Sequence, residues 1–137
     1  MTEILLPTAP GELIDKLTIL RLKAERMTDE AKLRHVRHEM AALQNVADRA
    51  LPALPALAPL WEDLYRINAA LWQIEDDIRA CEARQDFGPA FVRLARAVYQ
   101  TNDRRAAIKR EINLLLGSAL IEEKSYHPTG PATEGKA

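Results

Sequence analysis

Two rows of polar side chains on neighbouring predicted helices are the part of this sequence that could do chemistry. Each row recurs at alternating steps of four and three residues, which places its members along one side of a helix. The first row consists of Trp61, Tyr65, Asn68, Trp72, Glu75, Arg79 and Glu82. The second row consists of Ala95, Tyr99, Asn102, Ala106, Lys109, Asn113 and Leu116. Such mixed rows lie at the margin of a helical bundle or face a cavity.

An arginine beside the second row is the candidate residue that most needs an anionic partner. Arg105 falls on the apolar stripe of its helix, in line with Val98 and Ile112. A buried guanidinium without a partner is very costly, so Arg105 requires a carboxylate or an anionic ligand. We expect that carboxylate to come from the run Glu75–Asp77 on the preceding helix.

These rows predict a pocket for an anionic small molecule between the third and fourth helices. Its cations would hold the anionic group, Asn102 and Asn113 would orient polar atoms, and Glu75 would act as a base or counter-ion. Two lysines of the first helix could reach the same pocket. The candidate ligand-binding residues are Lys16, Lys23, Glu75, Asn102, Arg105 and Lys109.

The alternative interpretation of the same residues needs no ligand. Charges inside helical bundles are often structural, so the rows could form an interhelical ion-pair network. Glu12 and Lys16 are four residues apart, a spacing that favours an ion pair on a solvated face of the first helix. The sequence leaves both interpretations open.

Metal and cofactor chemistry have weaker support. Glu12-x-x-Asp15 and Glu75–Asp77 could supply oxygen ligands for Mg²⁺, but the fourth helix lacks a second acidic pair. His35 and His38 share a helical face, yet the arginines beside them disfavour a cation, so both are expected in solvent. No glycine-rich phosphate loop, CxxC pair or serine–histidine–aspartate signature occurs. Neither a metal nor a cofactor is therefore predicted.

The elements that must position these residues are four amphipathic helices. Apolar spacing predicts helices over about 10–27, 28–50, 60–84 and 89–116, with Thr28 as the N-cap of the second. The proline-rich stretch 51–59 predicts a fixed loop whose leucines dock on the core. Short connections then predict an all-α fold, an up-down four-helix bundle preceded by a short extended segment.

The ends of the chain and the longest helix carry three further expectations. Residues 1–126 are predicted to form one domain, with 119–126 docking back on the bundle, and 127–137 to be a disordered tail. The fourth helix exceeds the first by about three turns. Its surplus would cover another element or a second subunit, or stand in water, so a homodimer is one prediction.

Composition excludes several classes of protein. Aromatic residues make up only 5% of the 137 residues and strand formers are scarce, which excludes a β-sandwich. Cys81 is the single cysteine, so no internal disulfide forms; its place on an apolar stripe predicts a core residue. A net charge of −1 argues against a protein that coats nucleic acid. With neither a signal peptide nor a membrane-length apolar run, we expect a cytoplasmic protein that contacts no membrane.

The near-neutral charge conceals an acidic and a basic helix. Residues 58–86 contain three basic and seven acidic residues, whereas residues 89–116 contain six basic and two acidic residues. The contrast predicts that the third and fourth helices pack side by side. It leaves open whether the acidic helix neutralises every cation of the basic one.

Four segments resemble an uncharacterised bacterial family of helical proteins of about this length, a domain of unknown function. The segments are GELIDKLTIL (11–20), IEDDIRACE (74–82), NDRRAAIKREIN (102–113) and EEKSY (122–126). Some members of that family are linked to glycosyltransferase-type proteins, so the resemblance implies such a protein as a partner. The two functional hypotheses are a binder of an anionic sugar phosphate, nucleotide sugar or carboxylate, and a non-catalytic interaction or dimerisation module.

Overall fold

The computed structural model describes residues 3–130 and contains four α-helices. They are α1 (Pro10–Arg26), α2 (Glu30–Ala50), α3 (Leu57–Ala83) and α4 (Pro89–Leu115). No strand occurs among these described residues. The helices pack as a bundle, which confirms the predicted all-α fold. Residues 3–9 precede α1 without regular secondary structure.

Two predicted boundaries are corrected by local chemistry. Helix α3 begins at Leu57 and takes in Pro59. Proline in a first helical turn loses no hydrogen bond, because the first N–H groups have no partner within the helix. The N-cap of α2 is Asp29 rather than Thr28, since the Asp29 side chain accepts from the Lys32 N–H at 3.0 Å.

Helix α1 is the centre of the molecule, because it packs against all three other helices. Its Leu13 and Leu17 form one buried cluster with Ala47 of α2. Ile14, on another side of α1, is fully buried in a second cluster with residues of α3 and α4, among them Leu64 and Ile112. Helix α2 packs along α1 and not along α3 or α4. The α1 helix therefore lies between α2 and the hairpin of α3 and α4.

The predicted docking of the proline-rich stretch holds for two of its three leucines. Leu51 packs against both apolar clusters and Leu57, the first residue of α3, is buried, whereas Leu54 is exposed. Trp61 also packs against both clusters, and Cys81 is buried. His35 and His38 are exposed, as the sequence predicts.

The length of α4 is accounted for within one chain. Helices α3 and α4 have 27 residues each, whereas α1 has 17. The hairpin therefore extends beyond α1 by about 15 Å. The surplus of α4 covers α3, so it does not require a second subunit, and a homodimer stays a prediction.

The ends of the chain are described in part. The domain range 1–126 stays a prediction. Residues 127–130 of the predicted tail are exposed and carry no helix, while 131–137 lie outside the described residues. No described helix combines the length and the apolar character needed to cross a membrane.

Candidate functional site

A buried aspartate of α1 is the partner of the interior arginine. Arg105 donates from Nε to Asp15 Oδ1 at 2.9 Å and from Nη2 to Asp15 Oδ2, so the pair is bidentate. Asp15 is only 2% exposed, and the Arg105 side chain is 28% exposed. The hydrogen bonds with Asp15 raise the pKa of Arg105 although burial alone would lower it. Arg105 therefore stays charged in the interior.

Two neutral side chains complete the bonding of Asp15. Asn68 of α3 donates from Nδ2 to Asp15 Oδ1 at 2.8 Å and to Thr18 Oγ1 at 2.9 Å. Thr18 in turn donates to the backbone oxygen of Asp15 at 2.8 Å. Within residues 3–130, no buried side-chain nitrogen or oxygen lacks a hydrogen bond. A satisfied network of this kind holds three helices in one register.

The N-terminus of α1 is capped from α4. Its own N-cap residue, Ala9, has no side-chain acceptor. The Gly11 N–H instead donates to Asn113 Oδ1 at 2.8 Å, which satisfies one of the first N–H groups of α1. The approach requires glycine, because a Cβ at Gly11 would lie 2.7 Å from the Lys109 backbone oxygen. The backbones of α1 and α4 are therefore in direct contact at Gly11.

Lys109 joins α1, α4 and the segment that follows α4. Its Nζ pairs with Glu12 of α1 and lies 3.1 Å from Glu122 Oε2. Burial lowers the pKa of Lys109, but its hydrogen bonds to Glu12 and Glu122 outweigh burial and the pKa is raised. The hydrogen bond from Lys109 lowers the pKa of Glu122. Both groups are therefore charged near neutral pH.

The expected partners on α3 are wrong. Glu75 accepts from Arg79 at 2.7 Å on its own helix, and both side chains are exposed. Glu75 lies seven residues beyond Asn68, the α3 residue level with Arg105, and so about 10 Å along the helix axis. Within residues 3–130, no ion pair joins α3 to α4.

The predicted ion pair within α1 is also corrected. Glu12 pairs with Lys109 of α4 and not with Lys16. Lys109 is largely buried, so water screens its attraction to Glu12 less than it would screen the attraction of the exposed Lys16. Helix spacing predicted the local pair, and packing against α4 decided the actual one.

A small polar cleft lies above the two interior cations. It has a volume of about 50 Å³ and is lined by Asn102, Arg105, Ala106, Lys109, Glu122 and Lys124. One water needs about 10–15 Å³ of such space, so the cleft admits a few waters or one carboxylate- or phosphate-sized group. Arg105 uses three of its five N–H groups on Asp15 and Asn102, which leaves two for a ligand.

The structure brings together three of the six candidate residues. Asn102, Arg105 and Lys109 line the cleft, whereas Lys16, Lys23 and Glu75 do not. Lys16 and Glu75 are exposed, and Lys23 is half-buried.

The sequence interpretation missed the residues that hold the cations in place. These residues are Asp15, Thr18, Asn68 and Glu122, together with Lys124 on the cleft wall. A signal for the first two exists: Gly11, Asp15, Thr18 and Leu22 recur at steps of four, three and four along α1. All four are buried.

A larger groove lies elsewhere. It has a volume of about 460 Å³ and runs between α3 and α4 near the connecting turn, beside Cys81 and Leu94. Its charged neighbours Asp77, Arg84 and Arg93 are exposed, and the groove is open to solvent. We assign the candidate site to the smaller cleft, because interior charges converge there, whereas the charges beside the larger groove are exposed.

Carboxylates near the cleft are committed to cations. Glu12 and Asp15, the acidic pair that could have bound Mg²⁺, contact Lys109 and Arg105 respectively. Among the described residues, no three histidine, cysteine, aspartate or glutamate side chains come together as metal ligands.

Comparison with known proteins places the whole bundle in one family. A family model described as a family of unknown function (DUF6165) matches residues 6–134. Neither a curated protein nor a solved structure matches the chain. The matched range takes in all four helices and every residue of the cleft. The chain therefore belongs to this family of unknown function, DUF6165.

Proposed function

We propose that the protein binds a small anionic molecule through the cleft on α4. The observation that carries the proposal is the convergence of Arg105, Lys109 and Lys124 on a space the size of one anionic group. Asn102 lines the same space and can orient a polar atom of the ligand. A carboxylate or a phosphate group suits these donors.

The anchoring of the two interior cations supports this proposal. Asp15 fixes the Arg105 guanidinium from the side of α1, and Glu12 does the same for the Lys109 ammonium. Cations that are already positioned lose little freedom when a ligand binds. The carboxylates of α1 therefore act as supports, and the ligand approaches from the opposite side, where Lys124 stands.

The size of the cleft limits which part of a ligand is recognised. One anionic group fits, whereas a sugar or a nucleoside does not. A sugar phosphate, nucleotide sugar or carboxylate would therefore place only its anionic group on the cations, with the remainder outside. Isothermal titration calorimetry with inorganic phosphate, succinate and glucose 1-phosphate at constant ionic strength tests this directly.

A matched pair of lysine variants gives the control. Lys124→Ala removes a cleft cation whose side chain contacts neither Glu12 nor Asp15, so the fold should remain. Lys32→Ala removes the same charge from the first turn of α2, near the other end of α1 and so about 20 Å away. We expect Lys124→Ala to weaken phosphate binding and Lys32→Ala to leave it unchanged. Equal affinity in both variants, or no binding by the wild-type chain, contradicts the proposal.

A second candidate function, self-association, is favoured by the N-terminal segment. Ile4, Leu5 and Leu6 are 73%, 88% and 76% exposed. Three adjacent exposed aliphatic side chains are a feature of surfaces that a partner covers. We propose a second copy of the chain as that partner; the glycosyltransferase-type partner implied by the resemblance stays a prediction.

Sedimentation of two charged variants tests this second candidate. Leu5→Asp should convert a dimer to a monomer. Val92→Asp, at an equally apolar but distant site that is 51% exposed, should not. A monomeric wild-type chain would rule out self-association.

A further inference from the structure

The chain after α4 turns back and lies along that helix. Gly117 has a φ of 64°, and the Ser118 N–H donates to the Asn113 oxygen at 2.8 Å, which ends α4 and reverses the chain. Glu123 then accepts from Arg110 at 2.8 Å, and further on Thr129 donates to Asp103 at 3.4 Å. We call residues 118–130 the C-terminal strap. It runs antiparallel to α4 and crosses the cleft at Glu122.

The strap is held by few contacts. Glu122 and Glu123 are 51% and 72% exposed at their side chains. Leu120 and Tyr126 are also exposed, so the strap buries little apolar surface. Exposed ion pairs contribute little to stability. The Glu122 carboxylate can therefore leave Lys109 without disturbing the helices.

Glu122 stands where the anionic group of a ligand would stand. Its carboxylate is bonded to Lys109 and lines the same space as Arg105 and Lys124. Glu12 and Asp15 also face these cations, but both belong to α1 and cannot move away from them. The charges that meet at the cleft are those of three cations and three carboxylates: Arg105, Lys109, Lys124, Glu12, Asp15 and Glu122. With the Glu122 carboxylate in place these charges sum to zero, and without it one positive charge is uncompensated.

We infer that Glu122 is an intramolecular ligand of the cleft, which an external carboxylate or phosphate group displaces when it binds. The inference rests on the proposed function, and it adds how the same site is closed in the absence of ligand. The ligand forms its hydrogen bond to Lys109 as the Glu122 carboxylate turns out towards solvent, while Lys124 stays at the cleft. The observed affinity is then the intrinsic affinity multiplied by the fraction of molecules in which the Glu122 carboxylate is out of the cleft.

The test compares two neighbouring glutamates of the strap. Glu122→Gln keeps the size of the side chain and removes its charge. Glu123→Gln makes the same change one residue away, where the partner is Arg110 and not a residue of the cleft. Calorimetry with inorganic phosphate and with succinate should show tighter binding to Glu122→Gln, by about fivefold if the Glu122 carboxylate occupies the cleft four-fifths of the time. Glu123→Gln should bind as the wild type does.

A second measurement follows the Glu122 carboxylate itself. In NMR spectra, phosphate should change the side-chain carboxyl shift of Glu122 and leave that of Glu123 unchanged, because only the Glu122 carboxylate leaves its cation. If phosphate binds but neither the affinity of Glu122→Gln nor the Glu122 carboxyl shift changes, the inference is overturned and the proposed function stands. If no anion binds to the wild type or to Glu122→Gln, both are overturned.

Discussion

The buried pair of Asp15 and Arg105 gives the sharpest test of this structure. Arg105→Met keeps an unbranched side chain and removes the charge, which leaves Asp15 as a carboxylate that is only 2% exposed. Its remaining side-chain partner is Asn68, at 2.8 Å. Breaking a buried pair from one side costs about 3–5 kcal/mol in the free energy of unfolding.

Removal of the other partner should cost less. In Asp15→Leu the guanidinium of Arg105 keeps a side chain that is 28% exposed, so it can turn towards water. Asn68 still has Thr18 as an acceptor at 2.9 Å. The double variant Asp15→Leu/Arg105→Met leaves no buried charge, so we expect it to be more stable than Arg105→Met alone.

Urea unfolding followed by circular dichroism measures these differences. The control is Arg79→Met, which breaks the exposed pair with Glu75 and should cost no more than about 1 kcal/mol. The reasoning is refuted if Arg105→Met costs as little as Arg79→Met. It is also refuted if the double variant is less stable than both single variants.

Three further predictions concern the α1–α4 contact and the strap. Gly11→Ala should destabilise by about 1–3 kcal/mol in urea unfolding, because its Cβ would lie 2.7 Å from the Lys109 oxygen; an unchanged midpoint would contradict the close approach. Asn113→Ala should cost about 1 kcal/mol, since it removes the acceptor of the Gly11 N–H, and Asn102→Ala, on the cleft wall, should cost less. Glu122 should separate from Lys109 as the pH falls through the Glu122 pKa, which the Lys109 hydrogen bond holds below its ordinary value. A lowered carboxyl pKa gives stability that is present above the unfolded pKa and lost as the pH falls through the folded pKa. NMR shifts of residues 118–126 should therefore change on acidification below the ordinary pKa of a glutamate, and constant shifts would contradict this prediction.

The sequence by itself determined the helices and most of their apolar sides. Steps of three and four residues are a local property, and in α2 they place Leu33, Val36 and Ala47, all of which are buried, on one side of the helix. The end of α4 is also local in origin, because Gly117 follows it with a φ of 64°, which suits glycine. Arg105 could be recognised as a residue in need of an anion, because one charge on an apolar stripe is visible in the pattern.

Only the tertiary structure decided which carboxylate meets which cation. Asp15 and Arg105 are 90 residues apart, and nothing in the spacing of either helix relates them. The charge contrast between α3 and α4 suggested the wrong pair, because charge totals contain no information about level along an axis or side of a helix. Helix α1 is buried on two sides, because it lies between α2 and the hairpin of α3 and α4. Its Glu12 and Asp15 are therefore the carboxylates that contact Lys109 and Arg105. Whether a cation is left for a ligand then depends on Glu122, whose position is set by the turn after α4 and not by any helical pattern.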